Sequence, residues 1–290
     1  MRELVAGVRG GTGRIRIFAF VICLLVSLQA YANPDGDEDV EMILTNRDRR
    51  PVEELFKTDT VFPQMKGEME FRVAPLFQRN ANGNTLSIPL SVEYGLTDNW
   101  QVEAEWNSYM QRMPKHGSTT RGIGDLELST QYSFLNINGS LFHVAPRFGM
   151  EVPLGDVNKG LSEGFMEYQP GIIMARDFPE LHRTELFMEL GVSLVQRVKT
   201  PEEADDAEPA AHQFNLGTGF FTLFAHGAAT MEFNWSNNKW NHHGTENVLY
   251  VTPGVLWRVA PQVEIGLGIP VGLNRQSDRY QLTAHFVVEF

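Results

Sequence analysis

The residues of this chain that could do chemistry are mostly carboxylates, and they recur at every second position in several stretches. Glu70 and Arg72 alternate with apolar residues, and Glu103 and Glu105 do the same further along. This spacing places charged side chains on one face of a β-strand, since successive residues of a strand point to opposite faces. We therefore predict a polar surface, built by several strands, that carries an excess of negative charge.

The charged residues of this face are predicted to line the interior of a barrel. In every predicted strand the alternate, apolar series carries no Asp, Glu, Lys or Arg. A charged side chain facing the middle of a bilayer costs a membrane barrel about 2–4 kcal/mol, so the apolar series must face lipid. The excess of carboxylates in the lumen predicts a weak preference for cations. The predicted lumen-lining residues are Glu70, Arg72, Glu93, Glu103, Glu105, Asp125, Glu127, Arg147, Glu151, Glu167 and Glu189.

Glycines and prolines mark further positions of the same strands. A glycine-lined wall opposite the carboxylates favours a passage for a solute; equally, an Arg–Glu network could hold the barrel while glycines ease strand curvature. Each proline removes one hydrogen bond between neighbouring strands, so we expect bulges at the prolines. The alternative interpretation of the prolines is a lateral exit through the wall for apolar solutes. The glycines are Gly171, Gly191, Gly217, Gly219, Gly254, Gly266 and Gly268, and the prolines are Pro75, Pro89, Pro146, Pro170, Pro253 and Pro270.

The histidines give little support to catalysis or to metal binding. His143 and His285 fall in the charged series without an adjacent serine and orienting group, which a barrel hydrolase of the phospholipase type would need. His242 and His243 lie in a predicted loop, and two adjacent histidines do not easily share one tetrahedral metal site. We expect a solvated loop there, as for the acidic loop 202–208. No catalytic residue, metal or cofactor is predicted.

Twelve stretches of alternating polarity must position these residues, and helical spacing fails in each of them. The connections between these stretches alternate in length along the chain. The short ones lie at 97–99, 136–139, 177–183, 223–227 and 259–261, and the longer ones at 108–121, 156–164, 198–211 and 237–246. Short periplasmic turns and longer outer loops are typical of transmembrane barrels. The prediction is an all-β fold, a transmembrane antiparallel up-and-down β-barrel of 12 strands. The apolar registers are 69–77, 86–94, 100–106, 126–134, 142–152, 166–174, 186–194, 214–220, 229–235, 249–257, 263–271 and 280–290.

The N-terminal region divides into two segments before the barrel at 67–290. Basic residues, an apolar run at 17–28 and the small residues Ala30 and Ala32 predict a secretory signal peptide over 1–32. Residues 33–66 are acidic and irregular, and we predict a periplasmic leader or plug with one helical turn around 52–56. The net charge of −12 makes a nucleic-acid partner improbable, and beyond residue 30 no apolar run is long enough for a membrane helix.

The last predicted strand carries Tyr280, Phe286 and Phe290 on its apolar face. This closely resembles the C-terminal signal by which bacterial outer-membrane barrels are recognised for insertion. The expected location is therefore the outer membrane of a Gram-negative bacterium. The expected partners are outer-membrane lipid and lipopolysaccharide, the barrel assembly machinery and a small-molecule solute.

Four short phrases resemble the family of MetA-pathway phenol degradation proteins. They are Lys66-Gly67-Glu68, the turn at 94–100, the stretch 122–126 and the stretch 152–156. The resemblance implies a porin-like outer-membrane channel or transporter for small solutes, hydrophobic or aromatic ones among them, and it transfers no solute-contacting residue. An outer-membrane hydrolase and a structural or adhesive barrel are the alternatives.

Overall fold

The computed structural model describes residues 52–181, 183–202, 210–239 and 244–290. The predicted signal peptide, leader residues 33–51, His242, His243 and the acidic positions 203–208 lie outside these described residues. Within the described part, regular helix is limited to two 3-10 turns, Ile137–Gly139 and Val157–Lys159. No helix there is both long enough and apolar enough to cross a membrane.

Twelve antiparallel strands of the described chain form one sheet, and each strand pairs with its neighbours in sequence. The strands are β1 (Met69–Val73 and Leu76–Arg79), β2 (Gly83–Thr97), β3 (Trp100–Pro114), β4 (Thr120–Gly122 and Leu126–Tyr132), β5 (Phe142–Val152), β6 (Phe165–Phe178), β7 (Thr184–Arg197), β8 (Gln213–Phe224), β9 (Gly227–Asn237), β10 (Asn247–Ala260), β11 (Val263–Gly268 and Val271–Gly272) and β12 (Tyr280–Glu289).

The sheet closes where β12 meets β1. Phe71 lies opposite Val288 across this seam. Phe290 donates its N–H to the Met69 carbonyl at 2.8 Å, and Met69 donates to the Phe290 carbonyl at 3.2 Å. Lipid offers no partner for unpaired backbone groups, so an open edge would be costly. The predicted closed barrel, with its first strand paired to its last, is confirmed.

Apolar side chains cover the outside of the barrel, while acidic side chains of the same strands are buried. Phe148, Phe233 and Trp257 are 46%, 42% and 45% exposed, whereas Glu70 and Glu93 are 1% and 3% exposed. This difference follows the alternation in the sequence, because neighbouring residues of one strand point to opposite faces of the barrel wall.

Several strand irregularities fall at the prolines. Strand β1 is interrupted at Pro75, β11 is interrupted at Pro270, and the register of β2 against β3 shifts at Pro89. Pro146, in contrast, lies within continuous pairing of β5 with β6. The interruptions stay short because the carbonyl groups still pair: Pro75 accepts from Ala284 at 3.1 Å. The structure therefore has local irregularities at these prolines and a continuous sheet around them.

Two predictions about local structure are wrong. The loop expected to begin at Ser108 is strand up to Pro114, because residues here keep pairing with β2, for example Arg112 with Thr85. The helical turn expected at 52–56 is irregular chain. The Phe56 N–H donates to the Glu232 carboxylate at 2.8 Å rather than to a carbonyl one turn earlier.

Deletion of Phe290 is expected to abolish outer-membrane assembly without blocking export. It removes the two backbone hydrogen bonds to Met69 at the seam and the terminal aromatic side chain. Assembly is measured as the heat-modifiable band in the membrane fraction. Phe233→Ala is the control, since it shortens an exposed aromatic side chain without removing seam hydrogen bonds, and it should assemble. A normal heat-modifiable band for the deletion would contradict this prediction.

Candidate functional site: the lumen and residues 52–64

Residues 52–64, called the lumenal segment below, cross the interior of the barrel. Phe56 donates its N–H to Glu232 on β9. On the other side, Gln131 on β4 donates to the Thr60 carbonyl at 3.1 Å, and Ser133, just beyond β4, donates to the Val61 carbonyl at 2.7 Å. Strands β4 and β9 lie on opposite sides of the barrel in the strand order. The segment therefore contacts facing parts of the wall.

Three acidic side chains of the lumenal segment form ion pairs with three arginines of the wall, called the wall arginines below. The pairs are Glu53 with Arg258 (2.5 Å), Glu54 with Arg72 (2.7 Å) and Asp59 with Arg147 (2.6 Å). The arginine side chains are at most 17% exposed, so water screens these charges poorly. Loss of Arg72 or Arg147 would take a cation away from several buried carboxylates at once, which is destabilising.

Two wall arginines also join strands of the barrel to each other. Arg72 on β1 lies 3.1 Å from Glu103 and 2.9 Å from Glu105, both on β3. Arg147 on β5 lies 2.9 Å from Glu127 on β4 and 4.0 Å from Glu189 on β7. The predicted Arg–Glu network thus exists in the structure. The lumenal segment is part of that network, which the sequence did not reveal.

Carboxylates of the wall accept hydrogen bonds from the backbone of the lumenal segment. Glu232 accepts from Phe56 and from Lys57, at 2.8 and 3.0 Å, and Glu189 accepts from Asp59 at 3.3 Å. A buried N–H without a partner costs about 1–3 kcal/mol, and the irregular segment has no ladder of its own to supply partners. The wall therefore satisfies backbone groups that a helix or strand would satisfy internally.

The glycine-rich wall makes room for side chains of the lumenal segment. A Cβ atom placed on Gly254 or Gly268 would collide with the Phe56 ring, and one on Gly217 would lie 2.8 Å from the Thr58 hydroxyl. The Phe56 ring also stacks on His285, with the ring centroids 5.1 Å apart. The space predicted as a free passage is therefore occupied, at these glycines, by the chain itself.

Above the lumenal segment the lumen is open. A cavity of about 360 Å³ lies next to Lys57, and a second of about 180 Å³ lies on the side of Arg72; Arg147 borders both. The Lys57 side chain borders the first cavity, and this cavity lies inside the barrel. The desolvation of the ammonium group by the surrounding protein lowers the pKa of Lys57, while Glu232 and Asp278 oppose the shift. Burial likewise raises the pKa of Glu54 well above its ordinary value, against the effect of Arg72.

Four of the predicted lumen-lining residues form a row across adjacent strands. Glu105 pairs in register with Glu127, Glu127 with Glu151, and Glu151 with Glu167. Adjacent strands are about 5 Å apart, so like charges in one row repel each other. Arg72 contacts the first of these carboxylates and Arg147 the second.

The other predicted lumen-lining residues have different surroundings. Glu70 and Glu93 are buried near the lumenal segment. Gln64 of the segment donates to Glu70, and Gln101 of β3, which donates to Glu93, accepts the Gln64 N–H. Asp125 lies at the interruption of β4 and accepts the Gly155 N–H of an outer loop at 2.9 Å. Its observed contact is therefore with a loop.

Sequence reasoning missed several contacts that hold the lumenal segment. Glu232, Glu264 and Arg258 each lie between apolar residues of a strand, so the alternation that identified the other lumen positions could have identified these three. Glu53 and Asp59 had no such signal, because they lie in irregular chain whose path the sequence does not define.

Two histidines of the barrel wall, His143 and His285, lie beside carboxylates. His143 Nε2 lies 3.1 Å from Asp177, and its Nδ1 accepts the Asn136 N–H at 3.1 Å. His285 Nε2 lies 3.7 Å from Glu264. A nucleophile–base pair of the hydrolase type is therefore not formed by either of these two histidines.

Solved structures share this fold. An outer membrane channel from Pseudomonas putida F1 matches with a TM-score of 0.61 and 11% identity, over 81% of this chain and 100% of that chain. The NanC porin matches with a TM-score of 0.51 and 8% identity, over 76% of this chain and 98% of its own. No family model and no curated protein matches the sequence. At these identities the likeness shows the fold alone, and membership in the phenol degradation family stays a prediction.

The fold and the lumen together define the class of protein. In a closed barrel every strand can pair its backbone hydrogen-bonding groups with a neighbouring strand. This barrel also turns apolar side chains outward and keeps charged ones inside, as bacterial outer-membrane barrels do in lipid. The chain is therefore an outer-membrane β-barrel. Part of the region before its first strand lies inside the lumen.

Replacement of Arg147 by Gln is expected to release the lumenal segment. The change leaves Asp59, Glu127 and Glu189 without their cation, at a cost of about 3 kcal/mol or more, which is on the order of a 100-fold increase in the released population. Trypsin cleavage after Lys57, followed by mass spectrometry, measures release, because the protease cannot enter the barrel. Arg112→Gln is the control, since Arg112 is exposed and contacts the Gly160 carbonyl.

Equal rates of cleavage after Lys57 in the two variants would show that the ion pairs of Arg147 do not retain the segment.

Proposed function

We propose that this barrel is an outer-membrane channel for small solutes and that the lumenal segment keeps it closed. The observation that carries this proposal is the set of three ion pairs between the segment and the wall arginines. Each pair involves a different strand of the wall: β10, β1 and β5. The segment is thus held across the lumen, where it would obstruct the passage of a solute.

The cavity above the segment supports a polar solute. Eleven of the nineteen residues that line it carry polar or charged side chains, among them Lys57 on the side of the segment. Hydrophobic solutes prefer pockets lined mainly by apolar groups. Amide and hydroxyl groups of the lining can form hydrogen bonds with a polar solute and so replace those that the solute loses when it leaves water. We therefore propose small polar solutes in place of the hydrophobic or aromatic ones implied by the sequence resemblance. The neutral polar residues at the cavity are Gln169, Ser193, Gln213, Asn215, Asn234, Ser236 and Tyr250.

The carboxylate row supports a preference for cations once the channel is open. Arg72 and Arg147 offset charge at Glu105 and Glu127. Glu167, at the end of the row, borders the larger cavity, and Glu189, which lies outside the row, borders it as well. A low-dielectric wall focuses the potential of such groups into the lumen. The channel should therefore admit cations more readily than anions.

Deletion of residues 33–64 is expected to raise single-channel conductance about tenfold. The reason is that a barrel of this strand number is wide enough for a pore only when the lumen is unobstructed. Full-length protein and the deletion are compared in the same planar bilayer. A matched control carries Glu53→Gln, Glu54→Gln and Asp59→Asn, which keeps the chain length and removes the three charges, and it should open part of the time. Equal low conductance in all three proteins would favour a structural or adhesive barrel.

Neutralisation of Glu151 and Glu167 is expected to shift the reversal potential of the open channel towards zero in a salt gradient. These two residues pair in register on the adjacent strands β5 and β6, so Glu151→Gln with Glu167→Gln removes two neighbouring carboxyl groups of the row. Glu180→Gln, in an exposed turn on the other end of the barrel, is the control and should leave the potential unchanged. Anion selectivity of the deletion variant would refute the proposed charge of the lumen.

A further inference from the structure

Two arginines at the outer rim, the end of the barrel that carries the longer connections, point to the lipid side of the wall. Paired residues of neighbouring strands share a face of the sheet, so their orientation follows from that of Leu282, which is 48% exposed on the lipid side. The row of register partners that leads from β12 to β4 is Leu282, Phe77, Leu86, Gln111 and Arg121. Arg79 pairs with Tyr280, two residues before Leu282, and therefore faces the same way.

The rim around these arginines carries positive charge. The stretches 79–85 and 107–124 contain no Asp or Glu, although the chain as a whole has a net charge of −12. Their Lys and Arg residues are Arg79, Arg112, Lys115 and Arg121, and all four are exposed. Arg112 donates to the Gly160 carbonyl of another connection. The other three are called the rim cations below.

Tyrosine side chains place the two arginines at the depth of lipid headgroups. Arg79 donates to the Tyr280 hydroxyl at 3.5 Å. Tyr109 on β3 donates its hydroxyl to the Gln111 side chain at 3.0 Å, and Gln111 is the register partner of Arg121. Membrane barrels carry a girdle of aromatic residues at each membrane interface. Both arginines therefore lie where acyl chains end and headgroups begin.

The lipid-facing positions at the outer ends of other strands are neutral. Gln196 on β7 pairs with the apolar Met166. Asn237 on β9 pairs with the apolar Phe214 and with Asn247 on β10. These polar residues continue the lipid-facing series of their strands beyond the apolar stretch, as the two arginines do. Positive charge on the lipid-facing side of the rim is thus concentrated on β1 to β4.

We propose that the rim cations bind the phosphate groups of lipopolysaccharide. The lipid anchor of this molecule, lipid A, carries its phosphates directly above its acyl chains. Phe77, Leu86 and Leu282 form an apolar surface beside the two arginines that can contact the chains. Guanidinium groups bind phosphate oxygens in bidentate fashion, and the long arginine side chain can follow apolar surface up to a headgroup.

The spacing of the two arginines favours lipid A over a phospholipid. Arg79 on β1 and Arg121 on β4 are three strand spacings apart, roughly 15 Å at the backbone. A headgroup with a single phosphate cannot bridge this distance, whereas lipid A holds phosphates at both ends of a disaccharide. Lys115 lies beside Arg79, because its N–H donates to the Asn82 carbonyl in the turn that follows Arg79, at 2.8 Å. The rim cations can therefore contact one lipid A molecule from both sides.

Binding is tested on full-length protein that is refolded in detergent without lipid and then titrated with bisphosphorylated lipid A. Native mass spectrometry is expected to show one saturable lipid molecule per barrel. Arg79→Gln combined with Arg121→Gln should weaken this binding about tenfold or more, because charge-assisted hydrogen bonds to phosphate are lost. Arg176→Gln is the matched control and should bind as the wild type does. Arg176 is an exposed arginine that also faces lipid, since it pairs with Phe142 and Leu186, but it lies at the periplasmic end.

A second measurement uses the wild-type protein alone. Lipid A without phosphate groups and phosphatidylglycerol are both expected to bind about tenfold more weakly or less, because neither offers phosphates to both arginines. Equal binding of either lipid, unchanged binding in the double variant, or a loss of the same size in Arg176→Gln would each overturn the proposal. The heat-modifiable band verifies that each variant is a folded barrel. The site lies outside the lumen, so its failure would leave the proposed gate unaffected.

Discussion

Buried ion pairs between an irregular N-terminal segment and the barrel wall are the interaction on which the rest of this structure depends. Inside a barrel surrounded by lipid, water screens charges poorly, so each acidic side chain of residues 52–64 needs a specific cation. Glu53, Glu54 and Asp59 find Arg258, Arg72 and Arg147. Because the three pairs join the lumenal segment to three different strands, the segment and the wall constrain each other.

The wall complements the lumenal segment in shape as well as in charge. Gly254 and Gly268 leave the space that the Phe56 ring fills, and Glu232 accepts the backbone N–H groups that irregular chain cannot satisfy internally. Closure of the sheet at Met69 and Phe290 then keeps the whole interior away from lipid. The same polar interior that holds the segment in its lower part forms, above Lys57, a cavity suited to polar solutes.

Much of the fold could be predicted from the sequence, because alternation of polar and apolar residues is a local property. It predicts twelve strands, the side that each residue faces and the closing pair. The same alternation places Glu232, Glu264 and Arg258 on the lumen side, but it does not show that they hold the lumenal segment. The path of residues 52–64 could not be predicted. An irregular segment has no period, and its partners are set by contacts with residues far away in sequence, such as Asp59 with Arg147. The same absence of a period explains the wrong helical turn at 52–56.

A reversible disulfide between the segment and the wall tests the central claim most directly. The Thr58 hydroxyl accepts a hydrogen bond from the Asn234 amide at 3.1 Å, so these two side chains are neighbours across the contact between segment and wall and are the pair chosen for a disulfide. We would introduce Thr58→Cys and Asn234→Cys together with Glu53→Gln and Asp59→Asn, which weaken the ion pairs, and record single channels. The account predicts little current when the disulfide is formed, and repeated openings after reduction. The same current in the oxidised and reduced protein would contradict it.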